Sequence, residues 1–273
     1  MEWRDLGQSG LRVPIVGMGT WLTFDVYGKD NQAARRDLVT TALDRSVRLF
    51  DSSPMYGEAE RILGSALTGR RDRAIVATKV WSNDINAGHS QIDRSLLYFE
   101  GRVDLYQVHN LVQWRDYLPV LERMRKDGTA QAVGVTHYQT RAFPELATIM
   151  ASERIDSIQI SYNALNRSAE RELLPLAAQY GIGVIVMHPL GEGRLVRNAP
   201  QPEVLRQFRE FGCHTWAQVL LKWILSDPRV TAVIPATREH THLLDNAAAG
   251  EPPWFSARQR ADIATLAEVA ARN

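Results

Sequence analysis

The chain has 273 residues, and its 32 Lys and Arg against 31 Asp and Glu leave a formal charge of +1. Near-neutrality excludes the broad basic face of a non-specific nucleic-acid binder, and no apolar run reaches the roughly 18 to 20 residues of a membrane-spanning helix. One cysteine, Cys213, forms no internal disulfide, and Met1-Glu2-Trp3-Arg4-Asp5 lacks the basic and apolar regions of a leader, so a soluble cytoplasmic protein acting on small molecules is expected.

In chain order, Trp3 to Leu6 and Leu11 to Val13 flank Gln8-Ser9-Gly10 and predict a short hairpin capping one end of the fold. Apolar runs then recur at Ile15 to Gly17, Val47 to Phe50, Ala74 to Lys79, Val103 to Val108, Ala132 to Val135, Ile158 to Tyr162, Gly183 to Met187 and Val230 to Ile234. Between most of them the spacing is helical, at Ala33 to Asp44, Glu60 to Leu67, Leu118 to Arg125, Phe143 to Met150, Glu172 to Tyr180, Thr215 to Leu225 and His242 to Ala249. Asp127-Gly128 and Ser226-Asp227-Pro228 stop two of these helices, and Ser256 to Ala271 reads as a C-terminal amphipathic helix. Near-continuous apolar strands alternating with helices predict a parallel sheet covered by helices. Eight such units favour an α/β fold of the (β/α)8 TIM-barrel type, with an N-terminal β-hairpin and a C-terminal helix, as one domain over residues 1–273. Arg123, Arg125 and Lys126 read as solvated helix surface, which leaves a monomer as the default.

Asp51, Lys79 and His109 fall at the ends of three successive strands, with Tyr56 a few residues after the first. In such barrels the chemistry gathers at the C-terminal strand ends. An interior lysine needs a compensating charge, which makes Asp51 the natural partner of Lys79. A paired ammonium beside a phenol is expected to favour the phenolate and make Tyr56 a stronger proton donor near neutral pH, with His109 orienting a carbonyl oxygen. Singly, each of these residues has an ordinary structural reading; their shared placement favours one catalytic site. The His, Cys and carboxylate spacings suggest no metal site. No Gly-x-Gly-x-x-Gly opens the first helix, so a nucleotide is not expected to bind in the Rossmann manner. The loops His188-Pro189-Leu190-Gly191-Glu192-Gly193 and Ile234-Pro235-Ala236-Thr237-Arg238 suit phosphates instead, although both also read as plain barrel turns.

Gly17-Met18-Gly19-Thr20-Trp21, the run from Phe50-Asp51 through Tyr56-Gly57 to Glu60, Thr78-Lys79, Asp104 to His109 and Gly134-Val135-Thr136 resemble the successive signatures of the aldo-keto reductases over nearly the whole chain. The resemblance implies transfer of hydride from a nicotinamide cofactor to an aldehyde or ketone, with Tyr56 as proton donor, Asp51 and Lys79 tuning it and His109 fixing the carbonyl. It also implies a cofactor site drawn from Gly19, Thr20, Trp21, Asp51, Thr136, His137, Gln159, Met187, His242, Asp245 and Asn246 beside the two loops. Here the chain departs from the family pattern. His137 stands where the family usually has Asn, Met187 where many members stack an aromatic ring, and Ala236 and His242 where members preferring NADPH place Lys and Arg. Arg238 then remains as the cation for the extra phosphate, and NADPH is favoured over NADH. Trp21, Phe24, Tyr27, Trp81 and Trp114 are expected to ring an aromatic substrate pocket, though Trp also fills barrel-helix interfaces. The alternatives are a cofactor-binding regulatory or sensor subunit with slow turnover and, more remotely, a Schiff-base lyase with Lys79 as nucleophile.

Overall fold

The computed structural model describes residues 1–272. Its chain opens on the antiparallel hairpin β1 (Trp3–Asp5) and β2 (Arg12–Pro14). Eight parallel strands follow: β3 (Met18–Gly19), β4 (Leu49–Asp51), β5 (Ile75–Val80), β6 (Val103–Val108), β7 (Ala130–His137), β8 (Ser157–Ser161), β9 (Gly183–Met187) and β10 (Ala232–Val233). They pair in chain order, and the edges meet where Val16 bridges Val233 and Gly19 bridges Ala236, which closes the cylinder. Gly17 N–H donates to Val233 O at 2.8 Å and Val233 N–H to Ile15 O at 2.9 Å, so the first predicted strand does meet the last, although its regular part starts at Met18.

Strand side chains alternate between faces, and the two faces form separate apolar clusters. Phe50, Val76, Tyr106, Val133, Ile158, Val184 and Val233 point outward and pack with the helices. Leu49, Ala77, Leu105, Ala132, Ile185 and Ala232 point inward and meet Leu6, Leu11 and Val13 of the hairpin, which plugs the N-terminal end of the cylinder. Gly7 makes this seal possible. Its φ is +58°, and a Cβ there would lie 2.6 Å from Asp156 O and from Gly181 O.

The predicted helices are present at Lys29–Asp44, Ala59–Leu67, Trp114–Asp127, Phe143–Ala151, Leu173–Tyr180, Trp216–Leu225, His240–Ala248 and Ala257–Arg272. Helix Ile85–Tyr98 has no counterpart in the sequence reading, because the face it buries carries Gly88, Ile92 and Ser95 and hence little apolar periodicity. Gly88 lies against Tyr117, whose hydroxyl would stand 2.1 Å from a Cβ. Also unread was the excursion after β9, with short helices at Arg194–Arg197 and Pro202–Leu205 and a 3-10 turn at Arg206–Phe211. No described helix is long and apolar enough to cross a membrane.

Candidate active site

The inward face changes character along the barrel. Below it is apolar; one residue pair further toward the C-terminal ends it carries Asp51, Lys79, Gln107 and Gln159, each at most 3% exposed. Lys79 Nζ donates to Asp51 Oδ2 at 2.6 Å and to Ser52 O at 2.7 Å. The other carboxylate oxygen, Oδ1, accepts from Gln159 Nε2 at 2.7 Å and from Gln107 Nε2 at 3.4 Å. The ion pair is therefore hydrogen-bonded on both sides, the condition under which a buried pair is tolerated. Burial by itself pushes the Lys79 amine down, but the negative charge of Asp51 and the nearby Tyr56 phenol outweigh it and raise it, so the group stays an ammonium.

Tyr56 reaches the same point from a turn after β4, closed by Tyr56 N–H donating to Ser53 O at 3.0 Å. Lys79 Nζ lies 5.1 Å from the centroid of its ring. The phenol is raised above its ordinary value: burial is the largest cause, and the Lys79 charge opposes it without reversing it. This corrects the expectation of an acidified tyrosine. Withdrawal from water disfavours the phenolate by more than the ammonium favours it, so Tyr56 holds its proton in the ground state.

His109, which follows β6, stands edge-on to Tyr56 with ring centroids 5.7 Å apart. Its Nδ1 pairs with Ser53 Oγ at 2.9 Å, which leaves Nε2 without a protein partner among the described residues. Burial, with smaller contributions from the Lys79 and His137 charges, pushes the imidazole down to about 2 and keeps it neutral.

These groups sit in the wall of a cavity of about 1050 Å³. Asp51, Tyr56, His109 and Gln159 line it, as do Gly19, Thr20, Trp21, Met187, His188, Pro189, Leu190, Gly193, Ile234, Ala236, Thr237, His242, Asp245 and Asn246. Lys79 lies behind that wall, fully buried. Trp21 faces His188 with ring centroids 5.8 Å apart.

Other expected members lie elsewhere. Thr136 is fully buried, and its Oγ1 accepts from Asn110 N–H at 3.1 Å, so it braces the turn that carries His109. Strand alternation turns His137 away from the interior: its Nδ1 accepts from Gln139 N–H at 3.0 Å and its ring stacks on Tyr138, which does line the cavity. Gly191 is outside the lining, and the N–H groups of Gly191 and Gly193 already close turns on His188 O and Leu190 O, both at 3.0 Å. Arg238 is an exposed side chain 3.5 Å from Glu239.

Of the five aromatics expected around the substrate, only Trp21 lines the cavity. Phe24 is fully buried in the outer core, because the loop after β3 folds back with Phe24 N–H donating to Thr20 O at 3.0 Å. Tyr27 points to solvent, and Trp81 stays outside, its N–H donating to Gln91 Oε1 at 2.9 Å. Trp114 is held on its helix by Glu145, whose Oε1 accepts from Nε1 at 2.6 Å. The apolar walls come instead from Leu22, Met55, Tyr138, Val196 and Trp216, which the sequence reading did not single out. Leu22, Met55 and Tyr138 adjoin strand ends already identified and were accessible by that criterion; Val196 lies in the unread excursion.

Comparison with known proteins places this geometry among relatives. The chain is 28% identical over 214 residues to Aldo-keto reductase YhdN of Bacillus subtilis, covering 71% of this chain and 64% of that protein. It is 27% identical over 271 residues to Methylglyoxal reductase YeaE of Escherichia coli, covering 94% and 93%. Among solved structures, an aldo/keto reductase from Klebsiella pneumoniae in complex with NADP and acetate superposes with a TM-score of 0.81 at 24% identity, covering 95% of this chain and 93% of that one. The model of the Aldo/keto reductase family matches residues 15–268, and with that span, nearly the whole barrel, the chain belongs to the family.

Proposed function

We propose that this chain reduces the carbonyl group of an aldehyde or ketone with NADPH, NADH being the weaker donor, and that Tyr56 supplies the proton. The observation that carries the reading is the sealed Lys79–Asp51 pair set behind a protonated phenol and beside a neutral imidazole, all at one cavity.

The residues fit a dinucleotide. The cavity is at the upper end of the roughly 300 to 1,000 Å³ typical of small-molecule sites, ample for cofactor and substrate together. Asn246 lines it at 5% exposure with a side-chain amide that has no hydrogen-bond partner among the described residues, a donor and acceptor left for a ligand. Gln159, Met187 and Trp21 would hold the nicotinamide end, and Thr237, Asp245 and Asn246 the adenosine end. When bound, a reduced nicotinamide supplies the hydride.

The protein supplies the rest. His109 Nε2 orients the substrate oxygen, and a neutral imidazole does so without competing for the proton. As negative charge develops on that oxygen, the Tyr56 hydroxyl donates to it, and the phenolate left behind is stabilised by the Lys79 ammonium. Lys79 cannot turn away, because Asp51 and Ser52 O hold it. The ammonium thus acts on the charge that develops during reaction, which is where preorganised electrostatics lower a barrier. A charged, doubly bonded Lys79 behind the wall is a poor Schiff-base nucleophile, which disfavours the lyase alternative.

A panel of neutral aldehydes and ketones, followed by NADPH and NADH absorbance in parallel, tests the reading. Turnover with several carbonyl compounds is expected. Tight NADPH binding without turnover would instead indicate a sensor.

A further inference from the structure

A second cavity, of about 450 Å³, lies among the outer helices and shares no lining residue with the active cavity. Helical spacing explains the separation. On the helix His240–Ala248, His242, Asp245 and Asn246 face the active cavity, while Leu244, Ala247 and Ala248, on the opposite side at about 100° per residue, face the second. The helix Trp216–Leu225 also serves both, with Trp216 at one and Lys222 at the other.

Lys222 is the anomaly in this wall. It is 1% exposed, yet it makes no salt bridge among the described residues. Its Nζ donates to Glu251 O and, at 3.3 Å, to Pro253 O, and lies 5.0 Å from the Trp254 ring centroid. Two carbonyls leave one of the three ammonium donors without a protein oxygen to accept it. Both carbonyls are neutral, and burial pushes the amine below its ordinary value, with Cys213 and Glu251 opposing in part. Arg45, an exposed member of the same wall, has neither a salt bridge nor a side-chain hydrogen bond among the described residues. The one carboxylate of the wall, Glu251, is engaged elsewhere: its Oε1 accepts from the Met1 amine at 2.6 Å. Two cations thus share the lining with no anion of their own, whereas the active cavity is lined by no Lys or Arg. Phe211, Leu244 and Pro252 give the second cavity its apolar surface.

We propose that this cavity binds a small organic carboxylate with an apolar body, its charged end held by Lys222 and Arg45 and its body lying against Phe211 and Leu244. The volume is within the roughly 300 to 1,000 Å³ of small-ligand sites, and a guanidinium offers a planar fork that matches a carboxylate. A buried ammonium with only neutral partners gains most from an incoming anion, because the counter-charge offsets a desolvation cost already borne. The site does not depend on the carbonyl chemistry, since neither cation lines the active cavity.

Calorimetric titration of the full chain with hexanoate, acetate, hexylamine and inorganic phosphate, with and without NADPH, tests the assignment. Hexanoate should bind saturably and at least about tenfold more tightly than acetate, since each buried methylene is worth up to about fourfold. Hexylamine, of similar shape and opposite charge, should not bind. Arg45→Gln, an exposed change that carries little folding risk, should weaken hexanoate roughly 3- to 10-fold, and Lys222→Met roughly 10- to 100-fold. Ala248→Leu, which fills the cavity from an exposed position, should block hexanoate with both cations still in place. NADPH should leave hexanoate affinity within about twofold, because the two linings are separate. Displacement of hexanoate by NADPH, or unchanged affinity in Arg45→Gln and Ala248→Leu, would put the binding elsewhere and overturn the assignment. Absence of hexanoate binding would overturn it too, as would tighter binding of phosphate than of hexanoate.

Discussion

The pair at the centre of the site makes an asymmetric prediction about stability. Asp51→Asn keeps the shape of the side chain but leaves an ammonium at 0% exposure hydrogen-bonded only to neutral oxygens. Such a lysine shifts down until it loses its proton. From the ordinary value of 10.5, neutralisation at pH 7 costs about 1.4 kcal/mol per pH unit, a ceiling of about 5 kcal/mol and in line with the roughly 3 to 5 kcal/mol for breaking a buried pair. The sign with pH follows: the folded variant binds fewer protons than its unfolded chain, so its stability should rise between pH 7 and pH 10, which the wild type has no such reason to do. Removing both charges in Asp51→Asn/Lys79→Met should cost less than Asp51→Asn alone. Urea unfolding followed by circular dichroism at pH 7 and pH 9 measures Asp51→Asn, Lys79→Met and the double variant against wild type. If the double variant loses the sum of the two single losses, or if Asp51→Asn is indifferent to pH, the two charges are not coupled as described.

Three further outcomes are expected. His109, neutral when folded, must resist protonation that the unfolded chain accepts below about 6.5. Wild type should therefore lose about 2 kcal/mol between pH 7 and pH 5 that His109→Gln does not, and identical acid profiles would contradict the buried neutral imidazole. Because Tyr56 is raised rather than lowered and Lys79 is raised with it, kcat/KM for carbonyl reduction should stay flat from pH 6 to pH 9; a fall centred near pH 7 to 8 would mean an acidified phenol after all. Gly7→Ala should destabilise by more than about 2 kcal/mol, since its Cβ collides with backbone as well as meeting a positive φ, whereas Gly10→Ala, with φ +73° and nothing within 4 Å, should cost only about 1 kcal/mol. Equal costs would show that the hairpin does not seat in the barrel end.

The strands were legible because a closed parallel sheet is apolar on both faces: Val103–Val108 and Gly183–Met187 were read to the residue. Asp51, Lys79 and His109 were legible for the complementary reason, polar groups closing apolar runs. What sequence position could not supply was side-chain direction beyond the strands. Phe24 and Trp81, like Trp21, follow strand ends within a few residues, yet loop hydrogen bonds turn one into the outer core and keep the other outside the cavity. The Tyr56 direction was missed because the balance of burial against one neighbouring charge depends on enclosure, which proximity along the chain does not encode.

The most direct test replaces the proton donor and nothing else. Tyr56→Phe retains the ring beside Lys79 and His109 and removes the hydroxyl. NADPH affinity measured by fluorescence titration should stay within about twofold of wild type, while single-turnover oxidation of bound NADPH by an aldehyde should slow by roughly 10² to 10⁴, the contribution of a positioned acid. Wild-type rates in that variant, with the cofactor bound normally, would contradict the account at its centre.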